Sequence, residues 1–278
     1  MDPFVWGQRN NVLLFDVSKV AQALDQASRF IEEIASQGKT ILWVCTKKAG
    51  REIIDSAAVS LNQPRVTHRW IGGTLTNFPQ VKKSVTKMLH LEDVLKKNDS
   101  SSLYTKKDYV SLDKMYQRLN KLVGGFKGLV WPIGALVVID VLKERTAIRE
   151  AARMGIPVVA LVDTNSDPSF IDYVIPGNDD APRAIKVIVD ELAQAASRGI
   201  QVAAEKKINI RAQQVQEQLE KDSTLAVLEK EVDEEGNQLP KRPAVAGRRN
   251  EGAANRSSAP RRPQQQRTGF APRRTKDE

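Results

Sequence analysis

Apolar residues gather in short uninterrupted runs at Asn11–Asp16, Ile41–Cys45, Ala135–Asp140 and Val158–Val162, with Tyr173–Ile175 a weaker fifth. Runs of this length, rich in Val and Ile, predict strands covered on both faces. Between them the pattern switches to helical spacing. Ser18 is the expected N-cap of a helix whose stripe is Val20, Leu24, Ala27, Ile31 and Ile34, ended by Gly38. Ile53, Ala57 and Leu61 give a second stripe, and Ile148, Ala151 and Ala152 a third, stopped by Gly155 and Pro157. A fourth carries Ile185, Ile188, Leu192 and Ala195, with Asp180 as expected N-cap and Gly199 as expected C-cap. The alternation of strand and helix predicts a parallel, helix-covered sheet of the α/β class.

One stretch breaks the rhythm. Residues 78–123 hold two helical stripes and no strand: Val81, Val85, Met88, Leu91 and Leu95, then Leu112, Met115, Leu119 and Leu122. Asn98-Asp99-Ser100-Ser101-Ser102 between them is loop chemistry. Thr105 and Asp108 are spaced as a capping box, with Tyr104 and Tyr109 placed as a hydrophobic staple. The reading is an antiparallel helical hairpin inserted in an α/β domain of residues 1–200. Residues 201–235, charged, Gln-rich and without Gly or Pro, predict a helical extension. From Gly236 onward Pro, Gly, Arg and Gln dominate, a composition that predicts a disordered basic tail.

Charge sharpens this division. The chain of 278 residues carries a net +9, yet residues 241–278 alone hold eleven Lys and Arg against three acids. The first 240 residues are therefore close to neutral, and any binding of a polyanion by the folded body must rest on clustering rather than net charge. Aromatic content of 5% argues against stacking platforms of the kind that grip single strands. A lone cysteine, Cys45, lies inside an apolar run, which fits a buried side chain and a reducing compartment. No run of about 18 apolar residues predicts a membrane span, and the N-terminus lacks signal-peptide character.

The densest chemistry is Thr67-His68-Arg69-Trp70-Ile71-Gly72-Gly73-Thr74-Leu75-Thr76-Asn77, which follows a short predicted strand at Arg65–Val66. Gly72 and Gly73 allow positive φ and close approach of a partner, and His68 and Arg69 supply donors. Trp70 either stacks on a base or packs, and a tight turn with an anchoring Trp would use the same residues. A second cluster, Thr46-Lys47-Lys48-Ala49-Gly50-Arg51, falls where a strand ends and a helix begins, a place that attracts phosphate, though without Walker A spacing. The hairpin is basic through Lys82, Lys83, Lys87, Lys96, Lys97, Lys106, Lys107 and Arg118. The acids of Asp163–Pro168 and Pro176–Asp180 suit turns and caps better than a metal or an acid-base pair. Gly125-Phe126-Lys127-Gly128 has KH-like spacing in the wrong surroundings. Two histidines, His68 and His90, and one cysteine form no nucleophile-base pair and no zinc set.

Taken in order, Trp6–Asn10, Val44–Lys48, His68–Asn77, Gly155–Val158, Val162–Pro168 and Val174–Ala181 resemble the family of bacterial small-ribosomal-subunit protein two over nearly all of residues 1–200. The resemblance implies a flavodoxin-like parallel sheet with an inserted helical coiled-coil hairpin. It implies no catalysis, no cofactor, no small-molecule substrate and no membrane. Its implied partners are 16S ribosomal RNA, near the head-body junction of the small subunit, and neighbouring ribosomal proteins, including the large RNA-binding protein one. The implied location is the cytoplasm, on the ribosome. Family members usually begin with a segment carrying His-x-Gly-His, and Met1 aligns with the end of that segment. A histidine from it could join Asp163 or Asp180 around a metal. Phosphate contacts are expected from Arg9, Lys47, Lys48, Arg51, Arg69, Lys82, Lys83 and Arg118, with Gly72 and Gly73 permitting close approach and His68 and Trp70 as further RNA-binding residues. Two rivals stand beside this reading. A nucleotide-binding enzyme would need a glycine-rich loop where the chain has Val17-Ser18-Lys19-Val20, and a protein-interaction adaptor would use the hairpin and tail.

Overall fold

A computed structural model describes residues 1–10, 12–96 and 105–234. The chain divides into two units, Met1–Glu220 and Lys221–Glu278, and of the second the described residues, 221–234, are helical. The predicted hairpin loop at Asn98–Ser102, Tyr104 of the staple, Lys97 and the tail beyond 235 lie outside the described residues.

The first unit is built on five parallel strands: β3 (Thr40–Val44), β4 (Arg65–Val66), β5 (Ile133–Ile139), β6 (Val158–Val162) and β7 (Tyr173–Pro176). Their spatial order is β4-β3-β5-β6-β7. Numbered within the sheet that order is 2-1-3-4-5, the flavodoxin-like arrangement. Strand periodicity divides each run between two cores. Ile41, Trp43 and Cys45 face one side, under α1 (Val17–Ser36), α2 (Lys48–Ser60) and α6 (Pro182–Glu234). Leu42 and Val44 face the other, with α3 (Phe78–Lys96) and α5 (Arg145–Met154). Every residue of β5 and β6 is buried, as the unbroken apolar runs require. Helix α4 (Lys106–Val123) packs on α3. The capping box is present: the Thr105 side chain accepts from the Asp108 amide, and the Asp108 carboxylate accepts from the Thr105 amide at 3.1 Å.

The structure corrects several expectations. Asn11–Asp16 does not enter the parallel sheet. Its strand, β2 (Val12–Phe15), pairs antiparallel with β1 (Val5–Arg9) in a separate two-stranded sheet. Asn10, at φ +50°, begins the reversal between them. A tight turn suffices for antiparallel pairing, whereas entry to a parallel sheet needs a crossover. Val12, Leu13 and Leu14 are consequently exposed. Asp16, not Ser18, caps α1, accepting from the Ser18 amide at 3.0 Å. Gly38 does end that helix: it sits at φ +72°, the Gly38 amide donates to Ala35 and the Lys39 amide donates to Ile34. Asp180 is not seen capping α6. Asn178 accepts from the Asp180 and Ala181 amides instead, at 2.7 and 3.2 Å.

Gly199 is no C-cap either, because α6 runs through it. A Cβ there would collide with the Glu32 carbonyl oxygen and come within 2.5 Å of the Ala35 Cβ, so the glycine lets α1 and α6 touch backbone to backbone. Substitution Gly199→Ala must push the helices apart and is expected to cost about 2 kcal/mol despite alanine's better helix propensity. A urea-unfolding midpoint equal to that of the wild type would contradict this packing.

Candidate functional site

The two clusters singled out by sequence leave neighbouring strands at the same, carboxyl end of the sheet. Val44 of β3 pairs with Val66 of β4, and the Cys45 amide donates to the Val66 carbonyl at 2.9 Å. Thr46–Arg51 follows the first strand and Thr67–Asn77 the second. Strand β5 delivers Asp140 and Glu144 to this end, β6 delivers Asp163, and β7 delivers Asp179 and Asp180.

The glycine-rich loop is built around a residue the sequence reading missed. Glu150 of α5 is buried, 6% exposed, and its carboxylate collects the loop's donors. Oε1 accepts from Trp70 Nε1 at 3.1 Å and from the Gly73 amide at 2.8 Å, while Oε2 accepts from the Leu75 amide at 3.0 Å and more weakly from Thr76 at 3.5 Å. Thr74, wholly buried, ties the turn further by donating Oγ1 to the Ile71 carbonyl at 2.6 Å. Gly73 adopts φ +88°, a conformation that favours glycine. In sequence, Glu150 looks like one more acid on a charged helix, and only its placement beneath the loop reveals its part.

This geometry separates the candidate residues. Trp70 is buried and its indole N–H is occupied, so it anchors the loop and is withdrawn from base stacking. His68 and Arg69, by contrast, point outward and are exposed. Gly72 is exposed too, and a Cβ there would meet nothing within 4 Å, so the surface at that point is open to a close approach. On the following helices Lys82, Lys83 and Arg118 are exposed, and none is in an ion pair among the described residues. Lys96 is different. It pairs with Glu92 at 2.8 Å, and Lys127 pairs with the same carboxylate at 2.7 Å; hydrogen bonds from Lys127 and Lys96 pull the Glu92 carboxyl down to about 2.

Lys47 is also withdrawn from the phosphate set. Its ammonium lies 2.6 Å from Asp180, 2.7 Å from Asp179 and 3.7 Å from Asp140. Burial works against its charge, but the hydrogen bonds to Asp179 and Asp180 outweigh it and hold the lysine above its ordinary value. Burial pushes the Asp179 carboxyl up, and Lys47 keeps Asp180 below the usual carboxylate range. Asp163, Asp179 and Asp180 present oxygens within 4.8 Å of one another, and Lys47 supplies positive charge to the last two. Lys48 is exposed at the start of α2, and Arg51 turns back to donate Nη2 to the Thr46 carbonyl at 3.2 Å. Arg9 is exposed at the end of β1, in the two-stranded sheet.

Doubly wound sheets take ligands where strand order reverses, here between β3 and β5. That crevice already holds a carboxylate. Glu144, 1% exposed, accepts from the Thr46 amide at 3.1 Å, and burial pushes its carboxyl up. A carboxyl group already occupies the amide that would cradle a phosphate, with the charge of Asp140 acting on it as well, which leaves this end ill suited to a nucleotide.

A family profile described as Ribosomal protein S2 matches residues 1–199. The chain belongs to the ribosomal protein S2 family. Among its relatives is the small ribosomal subunit protein uS2 of Phocaeicola vulgatus, 40% identical over 212 residues, which cover 76% of each chain. The uS2 protein of Porphyromonas gingivalis is 42% identical over 200 residues, 72% of this chain and 71% of the relative. That of Parabacteroides distasonis is 37% identical over 227 residues, 82% of this chain and 81% of the relative. The matched residues end within α6 and take in both sheets, the Glu150-held loop, α3 and α4. Among the described residues no helix is long and apolar enough to cross a membrane.

Proposed function

We propose that this member of the S2 family is a non-catalytic, RNA-binding scaffold of the small ribosomal subunit, gripping 16S ribosomal RNA through phosphate contacts. The observation that carries the reading is the loop Thr67–Asn77. Four donors are spent inward on Glu150, and His68, Arg69 and the bare Gly72 are left facing out, directly before a helix whose Lys82 and Lys83 carry unspent charge. Such cations position a protein on folded RNA without reading its sequence, and specificity then comes from RNA shape. Lys48, Arg51, Arg118 and Arg9 complete the proposed set. Residues 1–200 act as the ribosomal body, 201–235 as a helical extension, and the basic tail 236–278 as a further rRNA contact. Docking of ribosomal protein one beside this chain, on the cytoplasmic ribosome, belongs to the same proposal and rests on family membership.

The direct test is binding of the full chain to 16S rRNA across a salt series. The double variant Lys82→Gln/Lys83→Gln should lower the slope of log affinity against log salt by about 1.5, since each phosphate contact contributes a little under one. Its fold should be unchanged, as both side chains are exposed. Indifference to that RNA at low ionic strength would remove the proposal. Retention of protein one on subunits assembled with and without this chain tests the second partner.

A further inference from the structure

Helix α5 carries a second set of unspent charges. Arg145, Arg149 and Arg153 stand four residues apart, so they share one face, at a rise of about 6 Å per step. All three are exposed. None of the three is in an ion pair among the described residues, and Asp167, an acid near Arg145, already accepts from the Ser169 amide at 3.0 Å. Beside this row lies the connection between β6 and β7, which contains no helix and lifts Phe170 to 58% exposure. The ring borders two hollows along α5. One, of about 160 Å³, is lined by Leu142, Ile148, Arg145 and Arg149 with Asp167 at its side, and the other by Ala152, Gly155 and Ile171 with Asp172.

We propose that this face binds single-stranded RNA, with the arginines on successive phosphates and a base stacked on Phe170. A helix-spaced row of guanidiniums suits a polyanion whose charges repeat at a similar interval, and each planar fork can hold a phosphate through two hydrogen bonds. An exposed aromatic ring next to such a row supplies the stacking that single strands offer and duplexes withhold, with little dependence on base identity. An acidic peptide would match the charge but would have no use for an open flat ring. The inference goes beyond the scaffold reading: it concerns another surface, an unpaired strand in place of folded rRNA, and different residues.

The test is fluorescence anisotropy of the full chain with an eight-nucleotide oligouridylate, its abasic counterpart of equal charge, and an oligoglutamate peptide carrying one leucine. The base-bearing strand should bind more tightly than the abasic one. Phe170→Ala should weaken the former about tenfold and leave the latter unchanged. The triple variant Arg145→Gln/Arg149→Gln/Arg153→Gln should reduce the salt slope by about 2. Should that variant fail to fold, Arg149→Gln alone and Phe170→Leu carry the measurement. The variant Lys82→Gln/Lys83→Gln should leave oligouridylate binding intact, which separates this surface from the scaffold face. Equal affinity for the two strands, no response to the arginine changes, or tighter binding of the peptide would each overturn the inference.

Discussion

Replacing Glu150 with alanine is expected to lower the unfolding free energy by about 4 kcal/mol, the largest effect of any single change considered. The carboxylate is the common acceptor for the Trp70 indole and the Gly73 and Leu75 amides, all within 3.1 Å. Hydrogen bonds to a charged acceptor are worth more than neutral ones, and deleting the acceptor strands its donors away from water. Glu150→Gln should cost about half as much, because the amide keeps one acceptor and turns an N–H₂ group toward the others. Urea unfolding followed by tryptophan fluorescence measures both. The loop should also lose its shape in the surviving folded molecules, so rRNA affinity should fall although Glu150 itself faces no RNA. A loss below about 1 kcal/mol for the alanine variant would mean that the loop does not depend on this residue.

The second large effect is expected at Lys47. Substitution Lys47→Met removes the cation shared by Asp140, Asp179 and Asp180, of which the first two side chains are only 7% and 6% exposed. Uncompensated buried charge is costly, and a loss of about 3 kcal/mol is expected near neutral pH. The deficit should depend on pH in a definite direction. Burial raises the Asp179 carboxyl, so ionising it costs the folded state more as pH climbs through and above the ordinary carboxylate range. Asp180 has the opposite sign: Lys47 lowers its carboxyl, and the stability it contributes is present above the ordinary value and lost as pH falls. The lysine itself, raised by its partners, contributes at all pH values below the ordinary lysine range. Removing Lys47 abolishes the attraction while leaving the repulsion among acids. The difference between variant and wild type should therefore be greatest at pH 7 and shrink toward pH 4, as the carboxyls protonate. Denaturation midpoints of both proteins across that range decide the matter, and a constant difference would show that the lysine acts through its alkyl stem alone.

Part of the candidate site was legible in the chain. The loop Thr67–Asn77, the cluster after Val44 and the basic character of the helices over 78–123 all stand where their residues indicated, because glycine pairs, strand ends and helical spacing are local signals. Which cations remain available was not legible. Lys47 and Lys48 are adjacent and chemically alike, yet one is held by acids more than 90 residues away in sequence and the other is exposed. Trp70 offered stacking and packing equally until Glu150 appeared beneath it. In sequence Arg145, Arg149 and Arg153 are indistinguishable from any solvated helix face, and only the exposed Phe170 beside them sets the row apart.

The same line divides the fold. Hydrophobic runs of five to seven residues, helical stripes between them and the Thr105 capping box were set by local sequence, since each is a preference of contiguous residues for one backbone geometry. That Asn11–Asp16 would pair with Val5–Arg9 and leave the parallel sheet, that Gly199 would serve helix contact in place of helix termination, and that Glu150 would organise a loop some 75 residues distant were settled only by tertiary structure. Each depends on which surface faces the residue, and an apolar strand, a glycine or a glutamate carries the same local propensities whichever neighbour it meets.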